Sequence, residues 1–323
     1  GLFNNRLRIT TDYYKKKTTD LLYSVAVPAT SGYQTMLKNI GSIENQGYEL
    51  SIESDNLTGA FSWTTAFNIA FNRNKVLELG GEEYKEMAEG DGHLKTGSVR
   101  RLIVGEPIGV FYGYRFDGIF QNEEECKQQT SSASPIGVGL RRYKDLNGDG
   151  KVDAANDREI LGDANPKFFG GLTNTFAYKG FELNVFLQYS YGNKILNYNA
   201  MELENPTGGQ NAYADMVNRW TPENPYSEGP RTWDRENQYW INNDNTYFMR
   251  NANYLRLKNI ELGYTFNFEG LKKAGISNLR LYTNGTNLIT IDGVKDADPE
   301  QRDASLGGYP LRKIINFGVQ ATF

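Results

Sequence analysis

The chain has 323 residues, a net charge of −4 and a mean hydropathy of −0.60, with one cysteine and one histidine. This balance excludes a strongly basic nucleic-acid binder, leaves Cys126 without an internal disulfide partner, and argues against a Cys/His zinc site because His93 stands alone. No run approaches the roughly 18 continuous apolar residues of a spanning helix, and the N-terminal GLFNNRLRIT has no apolar signal-peptide core, so a helical membrane protein is excluded too.

What departs from average is an aromatic content of 13%, with 21 Tyr and 17 Phe beside 34 Gly, a mixture suited to strands and polar loops. Period-two alternation, the mark of a strand with one apolar face, begins weakly at 5–14 and 47–54. It becomes clear at 61–71, where Phe61, Trp63, Phe67, Ile69 and Phe71 alternate with Ser62, Thr64, Ala66, Asn68 and Ala70, and Thr65 alone interrupts the apolar face. IGVFYGYRF, 108–116, is a candidate to begin a further pair of strands. After a weaker pattern at 168–178, Phe181, Leu183, Val185, Leu187, Tyr189 and Tyr191 alternate with Glu182, Asn184, Gln188 and Ser190, with Phe186 the exception. Segments 254–266, 278–290 and 312–323 complete the set, the last alternating Ile315, Phe317, Val319, Ala321 and Phe323 up to the final residue.

Most of these segments are about ten residues long, where soluble sheets average about five or six. About nine to eleven residues is the length of a tilted transmembrane β-strand, whose apolar face meets lipid while the polar face lines the lumen. The connections agree with that reading. SDNLTG at 54–59, KG at 179–180 and 267–277 are short, whereas 15–46, 73–167, 192–253 and 291–311 are long, the asymmetry of periplasmic turns and extracellular loops. The expected fold is therefore all-β: an antiparallel transmembrane β-barrel segment of eight to ten strands with long extracellular loops. Its lipid face should carry Trp63, Phe67, Phe71, Leu183, Val185, Leu187, Phe317 and Val319, and its lumen face Ser62, Asn68, Glu182, Gln188, Asn316 and Gln320. The lysines of YYKKK, 13–17, fall where a strand leaves the membrane and suit lipid headgroups better than nucleic acid.

Several stretches resemble SusC/RagA-type TonB-dependent outer-membrane transporters. They are NIGSIENQGYELSIES from Asn39, YKDLNGDGKVDAANDREILGDANPKF from Tyr143, YKGFELNVFLQYSYGNKI from Tyr178, RWTPENP from Arg219, YLRLKNIELGYTF from Tyr254, LRLYTNGTNLIT from Leu279 and GGYPLRKIINFGVQATF from Gly307. The resemblance implies a plugged, 22-stranded barrel of which residues 1–323 are the C-terminal part, the plug domain and N-terminal strands lying outside this chain. It further implies active import of oligosaccharides or peptides in the bacterial outer membrane, energised by TonB through the missing N-terminal part, beneath a SusD-like lipoprotein. Two other classes stay open, a passive porin or structural barrel and a soluble calcium-dependent adhesion module. No enzyme is expected, since His93 in GDGHLKTG has no nucleophile motif near it.

YKDLNGDGKVDAANDRE, 143–159, follows the calcium-loop template: Asp145, Asn147 and Asp149 at positions one, three and five, then Gly150, with Lys151 offering its carbonyl and Asp153 its carboxylate. Position twelve departs from the template, holding Asn156 where a bidentate Glu is wanted. The family resemblance points instead to Asp157. A structural calcium clip, a metal-free loop of Asx turns and a sensor switch are the alternatives, and the absence of flanking amphipathic helices disfavours the switch. Trp220, Trp233, Tyr239 and Trp240 cluster in one long loop, where they can pack internally, meet a protein partner or contact ligand.

Overall fold

The alternation becomes geometry in one antiparallel sheet. The structure, a computed structural model, describes residues 1–26, 35–87, 99–204, 211–231, 245–273, 275–294, 297–301, 309 and 311–323. Eight long strands follow one another in chain order: β1 (Leu7–Ala26), β2 (Thr35–Thr58), β3 (Phe61–Leu79), β4 (Phe168–Tyr178), β5 (Phe181–Tyr191), β6 (Tyr254–Phe266), β7 (Asn278–Asp292) and β8 (Ile314–Thr322). Each pairs with the next, and the sheet is open, with β1 and β8 at its edges. The β4–β5 connection is the two-residue hairpin expected of KG. Lys179 and Gly180 both have positive φ, 47° and 89°, as a type I′ turn requires.

Residues paired across antiparallel strands share a face. The row Trp63, Phe176, Leu183, Leu262, Thr283, Phe317 therefore lies on one side of the sheet, and the row Ser62, Ala177, Glu182, Gly263, Tyr282, Gly318 on the other. The facing expected for all fourteen named residues holds. Both exceptions to the alternation have local causes. Thr65, on the apolar face, donates to Asn174 Oδ1 at 2.8 Å, as does Trp63 Nε1 at 2.9 Å, so this hydroxyl does not meet lipid unpaired. Phe186, on the polar face, fills the space left by Gly171, where a Cβ would come within 2.7 Å of its ring.

Aromatic pairs mark both ends of the apolar band. Tyr13–Tyr48 (4.7 Å between ring centroids), Phe71–Phe168 (5.8 Å) and Phe168–Tyr191 (5.2 Å) lie toward the long connections, and Phe61–Tyr178 (6.5 Å) and Phe181–Tyr264 (4.4 Å) toward the short turns. Phe61 and Phe71 stand ten residues apart, as do Phe181 and Tyr191. At about 3.4 Å per residue and a tilt of about 45°, that is roughly 24 Å of height, the apolar band of an outer-membrane barrel between its aromatic girdles.

Two sequence expectations need correction. Segment 15–46 is not mainly a loop. β1 and β2 continue through it, carrying an extended hairpin beyond the band because backbone pairing persists after the apolar alternation stops. IGVFYGYRF does not begin a pair of barrel strands either. Val110–Tyr114 joins a separate four-stranded sheet with Tyr84–Glu86, Arg100–Ile103 and Arg158–Gly162, so β3 and β4 are direct neighbours. The buried apolar cores lie in these loops: Val99, Phe111, Leu161, Leu196, Met201 and Phe248 form one, and Tyr114, Ala133, Tyr143 and Val152 another.

The facing makes a sharp mutational contrast. Val185→Arg, at mid-band on the lipid side, is expected to cost about 2–4 kcal/mol of folding free energy in bilayers, whereas Asn184→Arg beside it on the lumen side folds normally. Urea titration of the full-length transporter in lipid vesicles reads both.

Candidate functional site

At the end with long connections the loops build a folded body over the polar face of the sheet. Beside it the 297–301 segment is clamped to the barrel wall by Arg256, whose position on β6 pairs with Gln188 and so points inward. Arg256 is 2% exposed, and each nitrogen of its guanidinium has an acceptor: Nε donates to Thr290 Oγ1 at 3.0 Å, one terminal nitrogen to Asp298 Oδ1 at 2.8 Å and the other to the Glu300 carboxylate. Glu300 also accepts from Gln188 Nε2 at 2.9 Å and from the Tyr254 hydroxyl at 3.1 Å, with Lys258 Nζ at 3.5 Å. Burial raises the cost of its charge, but Arg256 and Lys258 outweigh that and hold Glu300 below its ordinary value. Deeper in the lumen, Arg280 bridges Glu182 at 3.0 Å and Glu261 at 2.7 Å.

A cleft of about 1050 Å³ opens in the loop body, lined by residues that include Phe116, Gln121, Glu204, Asp215, Arg219 and Arg250. Arg250 pairs with Glu204 at 3.1 Å and donates to the Tyr247 carbonyl at 2.6 Å. Burial, with Glu204 close by, pushes the Tyr247 phenol above its ordinary value. The wall sets apolar faces from Phe116, Ile119, Met216 and Met249 beside charges of both signs. Around Cys126, partial burial and the nearby Glu123 and Glu125 push the thiol up, away from nucleophilic reactivity. His93 lies outside the described residues.

The 143–160 loop is ordered by its own donors. Asp145 accepts from the Gly148 and Gly150 N–H groups, both at 2.7 Å, Asp149 from Lys151 N–H at 2.8 Å, and Asn147 Nδ2 donates to Asp149 at 2.9 Å. The Lys151 ammonium sits 3.0 Å from Asp153 and, helped by the Asn156 N–H, holds that carboxylate below its ordinary value. Asp157 is fully buried and fastens the two halves of the loop, accepting from Leu146 N–H at 2.8 Å and Asp153 N–H at 2.7 Å. Val152, also fully buried, packs with Tyr114 and Tyr143. Among the described residues no three acidic, Cys or His side chains gather into a metal-binding group. Of the aromatic cluster, Trp220 packs internally over Gly139, where a Cβ would come within 2.5 Å of its ring, while Trp233, Tyr239 and Trp240 lie outside the described residues.

No protein-family model matches the chain. Individual relatives do. The chain is 39% identical over 337 residues to TonB-dependent receptor P3 of Formosa agariphila, covering 100% of this chain and 33% of that protein, and 28% identical over 338 residues to TonB-dependent receptor SusC of Bacteroides thetaiotaomicron, covering 100% and 31%. A solved structure of the RagAB peptide transporter superposes with a TM-score of 0.80 at 25% identity, covering 99% of this chain and 34% of that one. The chain is a homologue of SusC-type TonB-dependent receptors and spans about one third of their length. It is a β-barrel segment of the bacterial outer membrane, as its strand pattern and the seven SusC-like stretches indicate, and the relatives named here are receptors and transporters rather than enzymes.

In this SusC-like barrel, sequence reasoning found the strands and the acidic loop but missed the Arg256 clamp. The available signal was an arginine on the polar face of an alternating strand, but its partners lie 42 and 44 residues onward in DADPE. Removing the arginine strands the buried Asp298 carboxylate and takes from Glu300 its nearest cation, so Arg256→Leu should loosen the 297–301 segment at a cost of about 3 kcal/mol, with Asp298→Asn and Glu300→Gln added in the same chain recovering most of it. Because the folded pKa of Glu300 is depressed, the clamp should be at full strength above its ordinary value of 4.5 and weaken as pH falls through the folded value. Hydrogen exchange of 297–301 between pH 7 and pH 3 reads both effects.

Proposed function

We propose that the chain forms the C-terminal barrel portion of an active outer-membrane importer of oligosaccharides or peptides, energised through TonB and working beneath a SusD-like surface lipoprotein. The observation that carries this reading is the end-to-end match to an importer barrel, at a TM-score of 0.80, by an open sheet whose strands run in unbroken order. The edges of β1 and β8 would be paired by the remaining strands of the same transporter, since backbone groups left unpaired in hydrocarbon cost several kcal/mol each. Its plug would fill the lumen lined by Arg280, Glu182 and Glu261, and TonB would act through that part. The chain itself would carry no catalysis.

A passive porin would share the barrel but not the energy dependence. Deleting the whole gene should abolish uptake of the cognate oligosaccharide or peptide, restored by the intact gene only in cells with TonB and a proton gradient. Uptake that persists in cells lacking TonB would favour the porin. The soluble adhesion module is disfavoured by the uncovered apolar face, with Phe317 84% and Val319 69% exposed.

For the acidic loop we propose calcium as a structural ligand, held by Asp145, Asn147, Asp149, the Lys151 carbonyl, Asp153 and Asp157. Residue spacing supports this reading. Asp153 is paired with the Lys151 ammonium, so binding would require Lys151 to release it. Millimolar calcium should then protect 143–160 from proteolysis in the full-length transporter, and Asp149→Ala should remove the protection while strand content stays constant. Equal cleavage with calcium and with chelator would leave the Asx-turn loop as the answer.

A further inference from the structure

We propose that the outward surface of β1–β3, just beyond the upper aromatic belt, is a binding site for the phosphate-bearing headgroup of an outer-leaflet lipid. The inference depends on the outer-membrane location and not on what is imported. Beyond the belt residues Tyr13, Tyr48 and Phe71, the next row on the same face is Lys15, Gln46, Arg73, and the row after it is Lys17, Glu44, Lys75. Four cations therefore share the lipid-facing side of three adjacent strands, all exposed, with Glu44 the one carboxylate in these two rows, while Asp163 and Lys167 of the connection before β4 line the groove beside Arg73 and Lys75. Glu44 approaches Lys15 at 3.1 Å and cannot neutralise the other three.

The position matches the lipid as well as the charge does. The two rows lie two and four residues past the belt, about 7 and 14 Å along the strand, or roughly 5 to 10 Å of height at a tilt of about 45°. The polar headgroup layer occupies the first 5 to 8 Å or so outside the hydrocarbon. Neighbouring strands lie about 4.8 Å apart, so Lys15 and Lys17 on β1 face Arg73 and Lys75 on β3 across roughly 10 Å, a span that phosphate oxygens can bridge. β4 begins and β5 ends at the belt, with Phe168 and Tyr191, whereas β1–β3 carry the sheet through the headgroup level. Cations placed there on the lumen side would meet water. On this side a bilayer headgroup is the neighbour, and the long alkyl stems of lysine and arginine can lie along the apolar band while their charges reach up to it.

The test uses the full-length transporter in detergent, with retained lipid counted by native mass spectrometry. The probes are a bisphosphorylated glycolipid and the same lipid with its phosphates removed. The wild-type protein should retain the first and release the second. Replacing Lys15, Lys17, Arg73 and Lys75 by Gln, singly and together, should weaken retention about fivefold for each cation removed, while Lys16→Gln, on the lumen side, changes nothing. A Lys15→Arg, Lys17→Arg, Lys75→Arg chain should keep the lipid, separating charge from folding. Equal retention by the fourfold Gln variant, equal retention of both lipids, or displacement of the lipid by inorganic phosphate at matched phosphorus concentration would each overturn the proposal, the last by assigning the site to free anions.

Discussion

In hydrocarbon a backbone N–H or C=O that finds no protein partner finds none at all, and each such group costs several kcal/mol. The eight-stranded ladder answers that demand for every central strand, and the rest of the molecule follows from it. A ladder fixes register, register fixes which residues share a face, and a slip by one residue would carry Glu182, Gln188 and Arg280 into lipid. The same constraint explains the local devices. Thr65 and Asn174 satisfy each other on the apolar face, and the type I′ turn at Lys179–Gly180 joins two strands without disturbing their pairing.

With its apolar side given to lipid, the sheet builds no apolar core of its own in the usual sense. The buried apolar clusters belong to the loops, which fold into a body with its own small sheets, centred on Phe111, Phe248 and Met201 in one cluster and on Tyr143 and Val152 in another. Next to it Val294 and Ala297 pack with Ile195 and Ala252, and Arg256 fixes the 297–301 segment to the wall in a setting where an ion pair is costly to desolvate and worse to break. The surrounding donors Gln188, Tyr254 and Lys258 reduce the desolvation cost of the Glu300 carboxylate. The outcome is a loop body seated on the inward face, above a wall of mixed charges.

The acidic loop is legible only to the level of its chemistry. Asp, Asn and Gly at alternating positions supply oxygens that a hard cation can use and that backbone N–H groups can use equally well. Spacing alone does not choose between these partners, because both depend on the same short-range geometry. Where the oxygens actually point is set by the loop's own N–H groups, with one distant element, Tyr114, packing beneath. Asp157 is drawn inward between Leu146 and Asp153 while Val152 packs beneath against Tyr114 and Tyr143.

Strand identity, facing and order were legible because each rests on the period of two and on connection length, both local properties of the chain. The extended β1–β2 hairpin was not, since its pairing beyond Tyr13 and Tyr48 continues on backbone hydrogen bonds that leave no apolar signature. IGVFYGYRF looked like a barrel strand because a loop sheet obeys the same alternation, and only its pairing with Arg158–Gly162 excludes it from the wall. By itself the sequence determined a two-faced, membrane-length β-sheet with an acidic loop and a SusC-like pattern. Tertiary structure decided that the sheet is open at β1 and β8, that Arg256 reaches across 42 residues to anchor a loop, and that Lys15, Lys17, Arg73 and Lys75 meet on one surface. The physical reason is that alternation is written residue by residue, whereas which distant side chains meet depends on register accumulated across several strands, and no local pattern encodes that sum.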